Sequence, residues 1–225
     1  MSFREKEMRV YTDDEVSHLP FIHSSHTHYK EWKIRSRSAL RLYNYLESKN
    51  KPLSVLEVGC GNGWLSARLA ELMNSTVTGI DINTAELTQA QRVFGDKANL
   101  HFAEGGLESL LYDIRFDVII FAASIQYFPF FDEVIRNAFL HLKPMGEIHI
   151  IDSHFYQDRD LEPAKQRTQL YYESIRCSEM AGFYFHHSFE SLKSFQYKLL
   201  FNPLSIRRKL FASNNPFPWI CISSE

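Results

Sequence analysis

The stretch VLEVGCGNGWLS, residues 55–66, sets Gly59, Gly61 and Gly63 between an apolar run and a segment of helical character. A strand that ends in a glycine-rich turn and re-enters as a helix is the opening unit of an open parallel sheet. In such sheets ligands bind at the carboxyl ends of the strands. A dinucleotide fingerprint needs G-x-G-x-x-G, with backbone N–H groups facing a pyrophosphate. Here the spacing is G-x-G-x-G, one residue tighter, and Glu57 stands just before the turn. A carboxylate beside a pyrophosphate is repelled at a cost of about 1 kcal/mol or more at close range. Beside a cation the same carboxylate is favourable, so the turn suits an adenosine-bearing ligand with positive charge and no phosphate.

Outward from this turn the chain alternates. Short apolar runs at Ser54–Val58, Thr76–Ile80, Leu100–Ala103, Phe116–Phe121 and Glu147–Ile151 read as strands. The segments NGWLSARLAELM, TAELTQAQRVF and FDEVIRNAFLHL read as helices, with Thr84 as N-cap of the second. KPMG at 143–146 reads as the turn that ends the third helix. Strand and helix in alternation mean an α/β, doubly wound, mostly parallel sheet covered on both faces.

Upstream, Thr27–Glu47 carries Trp32, Ala39, Leu42, Tyr43 and Leu46 at helical spacing, and Pro52 resets the chain. Downstream, the spacing predicts a helix from about Leu161 to Ala181 with Gly182 as its stop. Strands are predicted at 183–187 (FYFHH) and 218–222 (PWICI). The aromatic-rich stretch 188–217 between them is too long for a hairpin loop and is expected to carry structure of its own.

The whole chain, 225 residues with 44% hydrophobic content, suits one domain with a sizeable core. A formal net charge of -2 disfavours nucleic acid held by phosphate neutralisation, and SIRRKLF at 205–211 reads as a solvated helix face. Cys60, Cys177 and Cys221 form neither a C-x-x-C pair nor a disulfide framework. The charged N-terminus lacks a secretory h-region, and the longest apolar run, Val118–Ala123, is too short to span a bilayer. A cytoplasmic protein without membrane attachment is the expectation.

At EVGCGNG, residues 57–63, the chain resembles the class I S-adenosylmethionine-dependent methyltransferases, whose first motif is an acidic residue followed by G-x-G-x-G. Asp81 in VTGIDIN, the strand FDVIIFAASIQYF and the helix–turn–strand LHLKPMGEIHIID continue the resemblance across roughly residues 50–152. It implies a Rossmann-like, seven-stranded sheet with the last strand antiparallel, and S-adenosyl-L-methionine as cofactor. It implies cofactor contacts from Glu57, Gly59, Cys60, Gly61, Asn62 and Gly63, and from Asp81 and Ile82 toward the ribose. A carboxylate with two acceptor oxygens suits a vicinal diol. Ala122 and Ala123 end the strand that faces the reactive methyl. The family's usual Asp for the adenine amino group is replaced here by FAEGGLES, so Glu104 or the backbone of Gly105, Gly106 and Leu107 takes that place. Met145 replaces the first glycine of the family's K-P-G-G turn.

The chemistry this implies is methyl transfer to a small-molecule acceptor by in-line displacement, with positioning supplying much of the rate. A general base is needed only where the acceptor carries a proton that must leave. His154, after the fifth strand, and Tyr127, after the fourth, are the candidate catalytic residues; their plainer readings are a hydrogen-bonded loop histidine and a core aromatic. His23, His26 and His28 read as part of a polar lid rather than a metal site, and Cys60 as a small residue filling the turn. The expected organisation is a single domain. Residues 1–50 form a helical lid, 51–152 the cofactor core, and 153–225 the walls of a partly apolar acceptor pocket. A non-catalytic S-adenosylmethionine-binding regulator or scaffold stays open as an alternative. A nicotinamide oxidoreductase is disfavoured by Glu57 and the tighter glycine spacing.

Overall fold

A computed structural model describes residues 3–203 and 215–223. SIRRKLF, within 205–211, lies outside the described residues. Ahead of the glycine turn come helices α1 (Phe3–Lys6), α2 (Asp13–His18) and α3 (Tyr29–Glu47). The alternating core follows as β1 (Ser54–Val58), α4 (Trp64–Leu69), β2 (Thr76–Asp81), α5 (Thr84–Phe94), β3 (Leu100–Glu104), β4 (Phe116–Ala122), α6 (Phe131–Leu140) and β5 (Leu142–Ile151). The remainder is β6 (Phe155–Tyr156), α7 (Asp158–Ser174), β7 (His187–Ser188), β8 (Tyr197–Phe201) and β9 (Trp219–Ser223).

The strands form a seven-stranded sheet in the order β3-β2-β1-β4-β5-β9-β8. The first five are parallel, and β9 pairs antiparallel with both β5 and β8. Because successive side chains on a strand point to opposite faces, each buried strand feeds two apolar layers. Val55, Val77, Val118 and Ile120 pack toward α3 and α4, in a layer with Trp32, Leu42 and Leu46. Leu56, Ile80, Ile119 and Phe121 pack the other way, with Val134 and Ile135 of α6. The order changes direction between β1 and β4, so the crevice for a ligand opens at the glycine turn.

Several expectations need correction. Thr84 is the first helical residue of α5; Asn83 is the N-cap, its side chain accepting from the N–H groups of Ala85 and Glu86. KPMG is not a turn but the start of β5, which begins at Leu142 and shifts register between Phe116 and Val118 of β4. The helix expected to reach Ala181 stops at Ser174, and 178–183 forms a 3-10 segment that includes Gly182. The strand expected at 183–187 reduces to His187–Ser188, paired parallel with β6 in a separate two-stranded sheet. The stretch 188–217 does carry structure, a 3-10 segment at Phe189–Ser194 and then β8. Among the described residues no helix is long and apolar enough to cross a membrane.

Candidate functional site

The turn after β1 is stitched to the end of β2. Gly59 and Cys60 donate their N–H groups to the Ile80 carbonyl at 2.8 and 3.0 Å. Asp81 at the tip of β2 braces both neighbouring loops: Oδ2 accepts from the Gly61 N–H at 2.7 Å and Oδ1 from the Asn83 N–H at 2.8 Å. Each carboxylate oxygen keeps a second lone pair, so acceptor capacity for a diol remains. Gly59, Gly61 and Gly63 all have positive φ. At Gly59 a Cβ would meet the Ser124 Cβ at 2.6 Å, so the turn lies flush against the loop after β4. The Ser124 hydroxyl donates to the Val58 carbonyl at 2.6 Å and fixes that contact. Asn62 is half-buried and Gly63 buried at the N-cap of α4.

Three carboxyl groups surround the turn. Glu57 lies behind it, 2% exposed, hydrogen-bonded by the Ser66 hydroxyl. Burial pushes it up to about 8, with Asp81 adding repulsion, while the Ser66 bond and Arg35 pull it back. Glu86 of α5 reaches over Gly61, where a Cβ would meet its Oε2 at 2.6 Å. Its burial also raises its pKa, against the lowering influence of Arg4 and Arg35. Glu57 holds its proton below about 8; a cation at the turn favours its ionised form, whereas a pyrophosphate does not. The residues therefore fit the sulfonium and ammonium charges and the ribose diol of S-adenosylmethionine. Cys60 is buried, and its thiol is held well above its usual range by burial and the neighbouring acids, so it stays an un-ionised filler of the turn.

At the adenine end, Glu104 is registered against Asp81 across β2 and β3, and the Gly105 N–H donates to the Asp81 carbonyl at 2.9 Å. Gly106 precedes a 3-10 turn whose Leu107 is 2% exposed, and Ile82 beside it is 79% exposed. Ala122 ends β4, and Ala123, at φ 53°, donates its N–H to the Ile151 carbonyl at 3.0 Å. The tips of β1, β2, β4 and β5 thus form one connected rim.

The N-terminal segment straps across that rim. Arg4 pairs with Glu86 at 2.9 Å, and Asp13 is bound by Arg92 and Gln89 of α5. On the far side Tyr171 of α7 donates to Glu7 at 2.7 Å. Arg9 forks onto Glu31 of α3 through bonds of 3.0 and 2.7 Å, and Glu31 also holds Arg35 at 2.8 Å. Burial would raise Glu31, but the Arg9 bond and the charges of Arg35, Arg9 and His28 hold it at about 2. The three histidines are spent inside this strap. His28 donates to the Glu7 carbonyl, His26 stacks on Tyr11, and His23 bonds Ser25.

Beyond β4 and β5 the wall is aromatic. Tyr127 is 46% exposed and meets Tyr184 edge-on at 6.0 Å, so it is a rim residue rather than a core aromatic. His154 sits between Tyr156 at 5.6 Å and Phe217 at 4.6 Å, and burial with Arg167 nearby lowers its pKa, keeping it neutral.

A separate cluster joins Glu147, His149 and Cys221 on one sheet face under α3, their ligand-type atoms within 4.8 Å of one another. Trp219 donates its indole N–H to His149 Nδ1 at 3.1 Å, which leaves the ring proton on Nε2, facing Glu147 Oε2 at 3.1 Å. Lys49 pairs with the same carboxylate at 2.9 Å. With both ring nitrogens engaged and a cation already in place, this is a hydrogen-bonded brace for α3.

Sequence reasoning placed Glu57, the glycines and Asp81 together, and they are together. It missed Glu86, Ser124, Arg35 and the strap residue Arg4. Glu31 and Arg35 stand four apart on a helix, a spacing that signals an ion pair, but nothing local says which acids Arg35 faces.

A family model described as a methyltransferase domain matches residues 49–198. Malonyl-[acyl-carrier protein] O-methyltransferase of Halalkalibacterium halodurans is 24% identical over 147 residues, 61% of this chain and 54% of that protein. Ubiquinone biosynthesis O-methyltransferase of Pseudomonas fluorescens is 35% identical over 97 residues, 42% of this chain and 41% of that protein. The chain spans about half the length of the curated relatives it matches. Among solved structures, the plantazolicin methyltransferase BpumL in complex with SAH superposes with a TM-score of 0.62 at 17% identity or less, here 16%, covering 99% of this chain and 98% of that one. The acidic glycine turn, the Asp81 brace and the family match over most of the chain agree: this protein belongs to the methyltransferase-domain family, among the class I S-adenosylmethionine-dependent methyltransferases.

Proposed function

We propose that this chain transfers a methyl group from S-adenosylmethionine to a small-molecule acceptor by in-line displacement. The observation that carries this reading is the Asp81 carboxylate, tied to the Gly61 N–H with acceptor capacity to spare, beside a glycine turn backed by Glu57. When bound, the cofactor supplies a methyl already activated by its sulfonium sulfur. The chain's own contribution is then to hold and orient. Asp81 takes the ribose, the acids around the turn favour the cationic end, and the rim of Gly105 to Leu107 borders the adenine. Residues 1–50 act as a lid, because the strap from α5 to α7 crosses the site and excludes water once it is filled. The aromatic residues Tyr127, Tyr184, Tyr156 and Phe217 give the acceptor pocket an apolar wall, with His154 among them. The two curated relatives described above are named as O-methyltransferases, which agrees with an acceptor oxygen.

The test is calorimetry with S-adenosylhomocysteine and NADH side by side. The wild-type chain should bind the first and not the second. Asp81→Ala should weaken binding by roughly 2–3 kcal/mol, the worth of hydrogen bonds to a charged group. Normal binding by that variant would place the cofactor elsewhere.

A further inference from the structure

We propose that Asp152 is a catalytic residue of this site that receives the acceptor's proton, and that the acceptor is one whose nucleophilic oxygen or nitrogen carries hydrogen. The inference rests on the methyltransferase reading above and adds the class of acceptor and the group that meets it. Asp152 follows β5 at the rim, one residue beyond the Ile151 carbonyl that accepts from Ala123. It is 7% exposed, and its Oδ1 is the one buried side-chain oxygen or nitrogen without a hydrogen-bond partner among the described residues. A buried carboxylate oxygen left unpaired is costly, on the order of 1–3 kcal/mol. The backbone at Asp152 has a φ of 54°, a left-handed conformation that aspartate adopts more readily than most side chains and that sets the direction of its carboxylate. An orphaned buried polar atom at the rim marks a place shaped for a ligand rather than for stability.

The surroundings say what that ligand offers. From α3, Ser38 hydrogen-bonds Asp152, and Arg35, Arg41 and Glu31 are the charged groups that act on it. From the segment before β9, Asn215 donates to the Ser38 hydroxyl at 3.2 Å and fixes its direction. A cavity of about 10 Å³, room for about one water-sized group, is lined by Ser38, the residue that bonds Asp152, together with Arg41, Ile151, Asn215 and Phe217. Arg35 acts on Glu57 and Glu86 at the cofactor turn as well as on Asp152, so the two ends of the site share one counter-charge. The missing partner of Oδ1 is a hydrogen donor, supplied by an acceptor hydroxyl or amine. In the step itself the acceptor lone pair bonds the methyl carbon, and the electrons of the broken carbon–sulfur bond stay on sulfur. The acceptor's proton passes to Asp152 Oδ1, leaving a neutral acid, a neutral thioether and an uncharged methylated product. A carboxylate acceptor has no such proton and meets like charge.

The experiment uses the full chain saturated with S-adenosylhomocysteine and three ring probes of similar size, phenol, aniline and benzoate, with binding read by ligand-observed NMR. Phenol or aniline should bind at least about tenfold more tightly than benzoate, and Asp152→Asn should erase that preference, as loss of a charged acceptor does. The variant should still bind S-adenosylhomocysteine, which shows that its fold and cofactor turn are intact. In the wild type the preference should fade as pH falls through about 6. Glu31 and the arginines keep their charges there, so the pH dependence should vanish in Asp152→Asn; a step that persists in the variant would overturn the assignment. A preference for benzoate, an unchanged preference in the variant, or no preference in the wild type would each overturn the assignment of Asp152 while leaving the cofactor reading intact. Failure of the wild type to bind S-adenosylhomocysteine would overturn both.

Discussion

Glu57 is a buried acid whose proton couples the stability of the fold to pH. Its pKa rises from an ordinary 4.5 to about 8, chiefly through burial. Between those values the folded chain holds a proton that the unfolded chain has released, so stability falls as pH climbs from about 4.5 to about 8. Glu57→Gln removes that slope. Urea midpoints for the variant and the wild type should agree near pH 5, and at pH 8 the variant should be the more stable by a few kcal/mol. The same substitution should reduce discrimination between S-adenosylmethionine and S-adenosylhomocysteine, because the ionised carboxylate favours the cation. Competition binding at pH 8 measures it. The position of Glu57 was legible in the sequence as an acid before the turn. Its burial was not, since that follows from the packing of Ser66 on the next helix.

At the scale of elements, the turn after β1 is a joint between two loops. Gly59→Ala places a Cβ against Ser124 at 2.6 Å in a left-handed conformation. The strain of about 1–2 kcal/mol and the overpacking of about 1–3 kcal/mol together predict a loss of roughly 2–5 kcal/mol in a urea melt, with cofactor binding impaired. The parallel strands were readable because each is a compact apolar run buried on both faces. The segments that escaped reading are short ones whose shape is set by neighbours. Residues 178–183 lack the apolar period of a helix or strand, and they settle into 3-10 turns packed against α7. Asn83 displaced Thr84 as the cap by a single residue, a contest between two good capping side chains that the strand's end decides.

For the molecule as a whole, α3 is the piece that makes the strap part of the fold. Trp32 is 3% exposed, meets Trp64 of α4 edge-on at 5.3 Å, and donates its indole N–H to the Tyr11 hydroxyl at 2.9 Å. One side chain thus ties the N-terminal segment, α3 and the first helix of the sheet. Trp32→Ala should cost about 3–5 kcal/mol. It should also speed cofactor release, because Arg35 sits one turn further along the same helix; stopped-flow dissociation of S-adenosylhomocysteine checks the second effect. The five parallel strands, the glycine turn and the places of Glu57 and Asp81 were determined by sequence alone, since periodicity and a local motif need no distant partner. Arg35 among four acids, Arg4 on Glu86 and Asp152 with its unpaired oxygen were decided only by tertiary structure. Their meaning lies in which charges meet across α3, α5 and β5, and chain spacing carries no record of contacts between elements far apart in sequence.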